Sequence, residues 1–292
     1  MASLELRFAP CGLAEAQALA DAFDNLLAFD APPAVATVET APGAWQVTAY
    51  LGDFDGDLET DILAPLSGML GALPAHETAD SGEHDWVAEG LKDLKPVRAG
   101  RFLVHGSHDR GAVRSGDIAI EVEAGQAFGT GHHGTTRGCL MVLDDLVRRG
   151  IRPGRVLDLG TGSGVLAIAA AKAFRVPVVA SDIDPVAIDV ARDNVRLNGA
   201  GPFVRLCVAA GTRHAVIRSD DGYDLIFANI LARPLIRLAP DIFECAVPGA
   251  LVVLSGLLDR QMPPVRAAFA GAGFTFQSRI RLEGWSTLLL RA

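Results

Sequence analysis

The sequence predicts an α/β protein in two parts: a doubly wound parallel sheet ending in an antiparallel hairpin, preceded by a small α+β domain. Three observations carry this. Beyond residue 155, short apolar strands alternate with longer helical stretches, the pattern of a parallel sheet covered on both faces. Within residues 156–173 one strand passes through a glycine-rich turn straight into an Ala-rich helix. The chain has 292 residues, half of them apolar, which is more than one small core needs.

The elements follow in chain order. "LELRF" reads as a strand, and "LAEAQALADAFDNLL" carries apolar residues at helical spacing. "AVATVET" and "WQVTAYL", separated by "APGA", form an antiparallel pair. "DLETDILAPLSGML" is a second helix, and "LPAHETAD" holds a last strand. This β-α-β-β-α-β order suggests a ferredoxin-like domain over residues 1–83. "SGEHDWVAEGLKDLKPV" then supplies a helical linker, residues 84–96, with Ser81 or Asp85 able to cap it and Pro96 ending it. The large domain, residues 97–292, opens with the strands "RFLVHG" and "IAIEVE". Its repeating region has strands at "RVLDL" (155–159), "PVVAS" (177–181), "FVRLCV" (203–208), "YDLIFAN" (223–229) and "ALVVLSG" (250–256). "FTFQSRIRL" and "STLLLRA" have only "EGW" between them, so the last two strands make a hairpin.

Composition narrows the class. No apolar run approaches the length of a membrane span, and "MASLELRFAP" lacks the basic patch and apolar stretch of a signal peptide, so the expectation is a soluble, cytoplasmic chain without membrane attachment. Cys11, Cys139, Cys207 and Cys245 form no CxxC pair, which points to reduced core residues and to no metal site. The net charge of −9 is divided unevenly: residues 1–96 hold 3 Lys/Arg against 17 Asp/Glu, a balance of −14, and the remainder balances at +5. An acidic front end repels phosphate backbones and favours a basic partner.

The sharpest motif is "VLDLGTGSGVLAIAAAKA". Gly160, Gly162 and Gly164 let the backbone pass close beneath a ligand seated on the following helix N-terminus, which implies a nucleotide-type ligand. The dinucleotide pattern G-x-G-x-x-G would place a small third residue where Val165 stands; the D-x-G-x-G-x-G form suits adenosylmethionine better. A P-loop is excluded because no G-K-[ST] follows. Asp182, at the tip of the second strand of this region, is placed to accept both ribose hydroxyls of an adenosyl group. Asp184, directly before Pro185, suits a helix N-cap, and Asn198-Gly199 a helix stop.

Asn229 ends the fourth strand, at the edge that lines the ligand crevice of open α/β sheets. Its amide carbonyl can accept an N–H from an incoming amine and aim the lone pair at a methyl carbon. Where amine- and base-modifying relatives carry N-P-P-[YF], this chain has Asn229-Ile230-Leu231-Ala232. The missing aromatic argues against a nucleobase substrate.

A doubly wound sheet with a terminal hairpin resembles Rossmann-like S-adenosylmethionine-dependent methyltransferases. More specifically, "AFGTGHHGTTRGCL", "DLGTGSGVLAIAAAK", "DIDPVAIDVARDN", "ANILARPLIRLAP", "LSGLLDRQ" and "DWVAEGLKDLKPVRAGRFLVHG" together resemble the bacterial ribosomal protein L11 methyltransferase (PrmA) family, in order over roughly residues 84–292. The resemblance implies an N-terminal domain that recognises the ribosomal protein, a linker that repositions it, and a domain that methylates lysine side chains and the N-terminal amine with S-adenosylmethionine. By position it puts cofactor contacts on Thr136, Gly160, Asp182 and Asn229, with Gly162 in the same turn. Phe128, Thr130 and the rest of the segment to Gly131 would close over the cofactor. Gly134 departs from the family pattern, which has Pro or Glu there more often.

On this reading "FGTGHHGTT" (128–136) is a flexible lid, neither a phosphate loop, for want of a lysine, nor a metal site, since adjacent histidines point apart. Asn229 is the expected catalytic residue, and His132 or His133 could accept a proton or shape the loop. The acidic domain fits a basic ribosomal protein and not direct nucleic-acid binding. The alternative is a methyltransferase of the same fold acting on RNA or a small molecule.

Overall fold

The computed structural model describes residues 4–23, 26, 33–52, 54, 56–80, 96–122, 134–218 and 221–292. It divides into two compact units, Met1–Asp85 and Trp86–Ala292. The expected linker helix lies outside the described residues, apart from Pro96.

In the first unit, β1 (Leu4–Phe8) buries Leu6 and Phe8 at period-two spacing. It is followed by α1 (Leu13–Phe23), β2 (Ala34–Ala41) and β3 (Ala44–Gly52). A π-helical turn, Glu59–Leu63, runs into α2 (Ala64–Leu70), and β4 (His76–Asp80) closes the unit. The β2–β3 hairpin turns at Pro42-Gly43, where Gly43 takes φ +77°. The sheet order is β2-β3-β1-β4 with every pairing antiparallel, the split β-α-β arrangement. Phe8, Leu19, Phe23, Val47, Ile62 and Leu66 form its core.

The second unit begins with a sheet that the strand pattern alone did not separate from the main one. Strands β5 (Val97–Ala99), β6 (Phe102–His105) and β7 (Ile118–Glu121) pair among themselves, β5–β6 antiparallel and β6–β7 parallel. Lys172 joins this sheet to the helices beyond: Nζ donates to the Ala119 carbonyl at 2.6 Å and to Asn198 Oδ1 at 2.8 Å, while Asn198 Nδ2 donates to the Glu121 carbonyl. Burial pushes the Lys172 pKa down, so the two acceptors matter for keeping its charge in place.

The main sheet follows as α3 (Gly134–Arg148), β8 (Val156–Leu159), α4 (Val165–Phe174), β9 (Val178–Asp182), α5 (Pro185–Leu197), β10 (Val204–Val208), β11 (Tyr223–Asn229), α6 (Ala232–Cys245), β12 (Ala246–Leu258), α7 (Met262–Ala272), β13 (Thr275–Leu282) and β14 (Trp285–Arg291). Its order is β10-β9-β8-β11-β12-β14-β13. The first five are parallel, and β14 and β13 are antiparallel as the short "EGW" spacing requires. Leu225, Phe227, Val253 and Leu289 face α3, α4 and α5, and Ile226, Val252, Leu254 and Leu288 face α6 and α7. Both faces are therefore covered, which is why these strands are apolar throughout. Strand order reverses between β8 and β11, and the carboxyl edge at such a switch point is where open α/β sheets bind their ligands.

Candidate active site

Two groups of residues meet at this edge. The first surrounds the glycine turn between β8 and α4. Gly160, Gly162 and Gly164 all have positive φ, at +68°, +53° and +84°. That conformation is open to glycine without a Cβ penalty. The turn is pinned from three directions. Thr161 donates its N–H to the Ser181 carbonyl at 2.9 Å and its hydroxyl to Asp158 Oδ2 at 2.6 Å. Gly162 N–H donates to Asp182 Oδ2 at 2.8 Å. From α5, buried Asn194 donates Nδ2 to the Ser163 carbonyl at 2.9 Å. A Cβ on Gly164 would stand 3.3 Å from that of Ala191, so small residues on both sides let α5 approach.

Asp182 stands where the spacing put it, at the tip of β9. Each of its oxygens accepts one backbone N–H, Oδ2 from Gly162 and Oδ1 from Asp184 at 3.1 Å. A carboxylate has about four acceptor sites. Capacity for two ribose hydroxyls therefore remains, and the carboxylate is held in place before any ligand arrives. Asp184 caps α5 as the sequence indicates, accepting from Val186 N at 2.8 Å, with Asn198 and Gly199 at the other end. Next to Asp182, Ile183 is 71% exposed, an apolar face beside the carboxylate against which a flat base could pack. Its only sequence signal is an apolar residue directly after the acid.

Asp158, beneath the turn, is fully buried, and its Oδ2 accepts from Thr161 and from Ala167 N at 3.0 Å while Oδ1 has no partner among the described residues. Burial, reinforced by the charge of Asp182 and opposed by the two hydrogen bonds, pushes its pKa up to about 7. The orphaned oxygen, the glycine cradle and the preset Asp182 suit a ligand that is cationic on one side and carries a ribose on the other. S-adenosylmethionine, with its ammonium and sulfonium groups, is such a ligand.

The second group lies across β11, β12, β14 and α3. Asn229, at the end of β11, donates Nδ2 to Thr136 Oγ1 at 3.3 Å. The carbonyl oxygen of its amide is then the atom left to accept an N–H. Thr136 is 2% exposed in the first turn of α3, a correction to the lid reading. Residues 134–136 are helix, and Gly134 and Gly138 let α3 sit tightly on the β13–β14 hairpin. A Cβ on Gly134 would be 2.9 Å from the Leu282 carbonyl oxygen, and one on Gly138 would overlap the Thr287 hydroxyl. This also accounts for glycine at position 134. Ser255, opposite Asn229 in the ladder, contacts the Thr135 carbonyl, the Ser286 carbonyl and Thr287 Oγ1 at 3.3, 3.3 and 2.9 Å. Phe128, Thr130, His132 and His133 lie outside the described residues.

A sheet switch point with a glycine turn, a strand-tip acid and a strand-end amide defines a Rossmann-like S-adenosylmethionine-dependent methyltransferase. Comparison makes this particular. The family model for ribosomal protein L11 methyltransferase (PrmA) matches residues 23–292, and the chain belongs to that family. Relatives named ribosomal protein L11 methyltransferase include one from Bradyrhizobium diazoefficiens, 47% identical over 265 residues that make up 90% of this chain and 89% of the relative. One from Brucella suis is 45% identical over 260 residues, 89% of each chain. Among solved structures, the ribosomal protein L11 methylase from Lactobacillus delbrueckii subsp. bulgaricus superposes with a TM-score of 0.58 at 28% identity, covering 68% of this chain and 98% of that one.

Proposed function

We propose that this protein transfers methyl groups from S-adenosylmethionine to lysine side chains and the N-terminal amine of a basic ribosomal protein, the L11 for which its relatives are named. The observation that carries the amine reading is the Asn229 amide, tethered by Thr136 at the crevice with its carbonyl left to accept. Glu15, Glu39, Asp57, Glu59 and Glu77 are exposed on the first unit, which supports a basic partner over RNA. No helix among the described residues is long and apolar enough to cross a membrane. The reading places the enzyme in the cytoplasm beside the ribosomal proteins it modifies.

In this reading Gly160, Gly162 and Asp182 hold the cofactor, and Thr136 and Asn229 line its reactive end. Phe128 and Thr130 belong to the segment that closes over it. The bound cofactor supplies an electrophilic methyl on a sulfonium. The chain itself must deliver a neutral amine. A lysine of ordinary pKa near 10.4 gives up its proton at pH 7 at a cost of about 4 to 5 kcal/mol. Desolvation in the crevice lowers that cost, and Asn229 orients the lone pair once it exists.

The test is incubation of the enzyme with methyl-labelled cofactor and separated, undermethylated ribosomal proteins and RNA. Label on the lysines and N-terminal amine of L11 is the expected result. Label confined to RNA overturns the reading.

A further inference from the structure

The residue after Asn229 is Ile230, and two glycines from different strands close on it. β8 and β12 flank β11, with Leu159 opposite Ala228 and Ser255 opposite Asn229. Gly160 and Gly256 therefore fall beside Ile230 just beyond the last ladder pairs. A Cβ on Gly160 would overlap Cγ2 of Ile230, with Ile230 Cβ at 3.7 Å. A Cβ on Gly256, whose φ is +81°, would meet main chain instead: it would overlap the Ile230 carbonyl oxygen and lie 2.7 Å from its carbon and 2.9 Å from its nitrogen. One side of Ile230 thus rests on the cofactor turn through a branch methyl. The other rests on the tip of β12 through the backbone, and that tip is anchored to α3 and β14 by Ser255.

We infer that Ile230 is a positioning residue, a wedge between Gly160 and Gly256 that sets the spacing of the Asn229 amide from the cofactor turn and so aligns the amine with the transferable methyl. The inference rests on the amine-methylation reading above. It explains why an aliphatic, β-branched residue follows the asparagine where aromatic-platform relatives place proline. With no stacking ring to orient an acceptor, alignment depends on how rigidly the amide itself is held. A β-branched side chain has few rotamers and keeps its Cγ2 where the glycine needs it.

The contact predicts that branching matters more than volume. In the full chain, Ile230→Val retains Cγ2 and should keep kcat within about threefold, while Ile230→Leu keeps the volume, loses the branch and should lower kcat about tenfold or more, since ångström-scale misplacement costs up to about a hundredfold. In both, KM for L11 and the Kd for S-adenosylhomocysteine by calorimetry should stay within about threefold of the parent. The glycines supply a second measurement that needs no acceptor. Gly160→Ala should weaken S-adenosylhomocysteine binding both through the strain of a Cβ at φ +68° and through overlap with the Ile230 methyl; adding Ile230→Ala should recover the second part alone, because only that obstacle is a removable methyl. The loss of turnover in Gly256→Ala should not be recovered by Ile230→Ala, because that obstacle is backbone. The inference is overturned if Leu outperforms Val at position 230, if kcat and cofactor affinity fall together in Ile230→Leu, or if Ile230→Ala fails to relieve Gly160→Ala. Thermal unfolding of each variant separates these outcomes from loss of fold. If L11 proves not to be the acceptor, the function reading fails while the calorimetric cycle at Gly160 still decides the wedge.

Discussion

The two halves of the carboxyl edge are built in different ways. In the cofactor half, the ties are short in sequence: Asp158 reaches Thr161 and Ala167, three and nine residues on, and Asp182 reaches back 20 residues to Gly162. In the acceptor half, Thr136 and Asn229 are 93 residues apart, and Thr135 and Ser255 are 120 apart. One half is specified by a strand, a turn and a helix that follow each other. The other exists only once α3 has docked on β11, β12 and β14, neighbours in the sheet that lie far from α3 in sequence. With the roles proposed above, the difference predicts that cofactor binding and methyl transfer are separable, because different packing events hold the residues assigned to each.

Substitutions can break that separation or sharpen it. The largest effect is expected for Asn229→Ala. Methyl transfer to L11 should fall about a hundredfold or more while S-adenosylhomocysteine affinity stays within about threefold. An equal loss of affinity in calorimetry would merge the two halves. Asp182→Ala should do the reverse, weakening cofactor binding by roughly ten- to a hundredfold through loss of charge-assisted hydrogen bonds, with turnover largely preserved when cofactor saturates.

Asp158→Asn addresses the cofactor half through pH. Burial raises the folded-state pKa of Asp158 to about 7, so the folded protein binds this proton more tightly than the unfolded chain does. The stability it contributes is therefore full below the ordinary pKa of 3.8 and is lost as pH rises to about 7. The amide variant lacks this loss, and its thermal stability without cofactor, relative to the parent, should climb across that window by up to about 4 kcal/mol. A flat difference would show that Asp158 is ionised throughout. Smallest is Asp184→Ala, which removes the α5 cap and should cost about 1 kcal/mol in urea unfolding with turnover unchanged.

This contrast also explains what could be read in advance. The alternation of strands and helices, the glycine turn, Asp182 as the strand-tip acid and Asp184 as the cap are legible because each depends on its own element or on the one next to it in the chain. Family resemblance names Thr136, yet the local sequence puts it on a lid. A run of glycines and threonines looks mobile until Leu282 and Thr287 are seen packed against Gly134 and Gly138. Ser255, Asn194 and Gly256 carried no local signal at all. The separate sheet of β5, β6 and β7 was also hidden, since strand periodicity shows which residues pair with some neighbour and not with which one.

By itself the sequence determined the doubly wound order, the glycine turn and the acid at the tip of β9, because glycine's access to positive φ, N-cap chemistry and period-two burial act along the chain. Only the tertiary structure decided the acceptor side: that Thr136 tethers Asn229, and that Ile230 sits between Gly160 and Gly256. Those contacts follow from sheet register and helix docking, and both depend on residues far apart in sequence closing on one another.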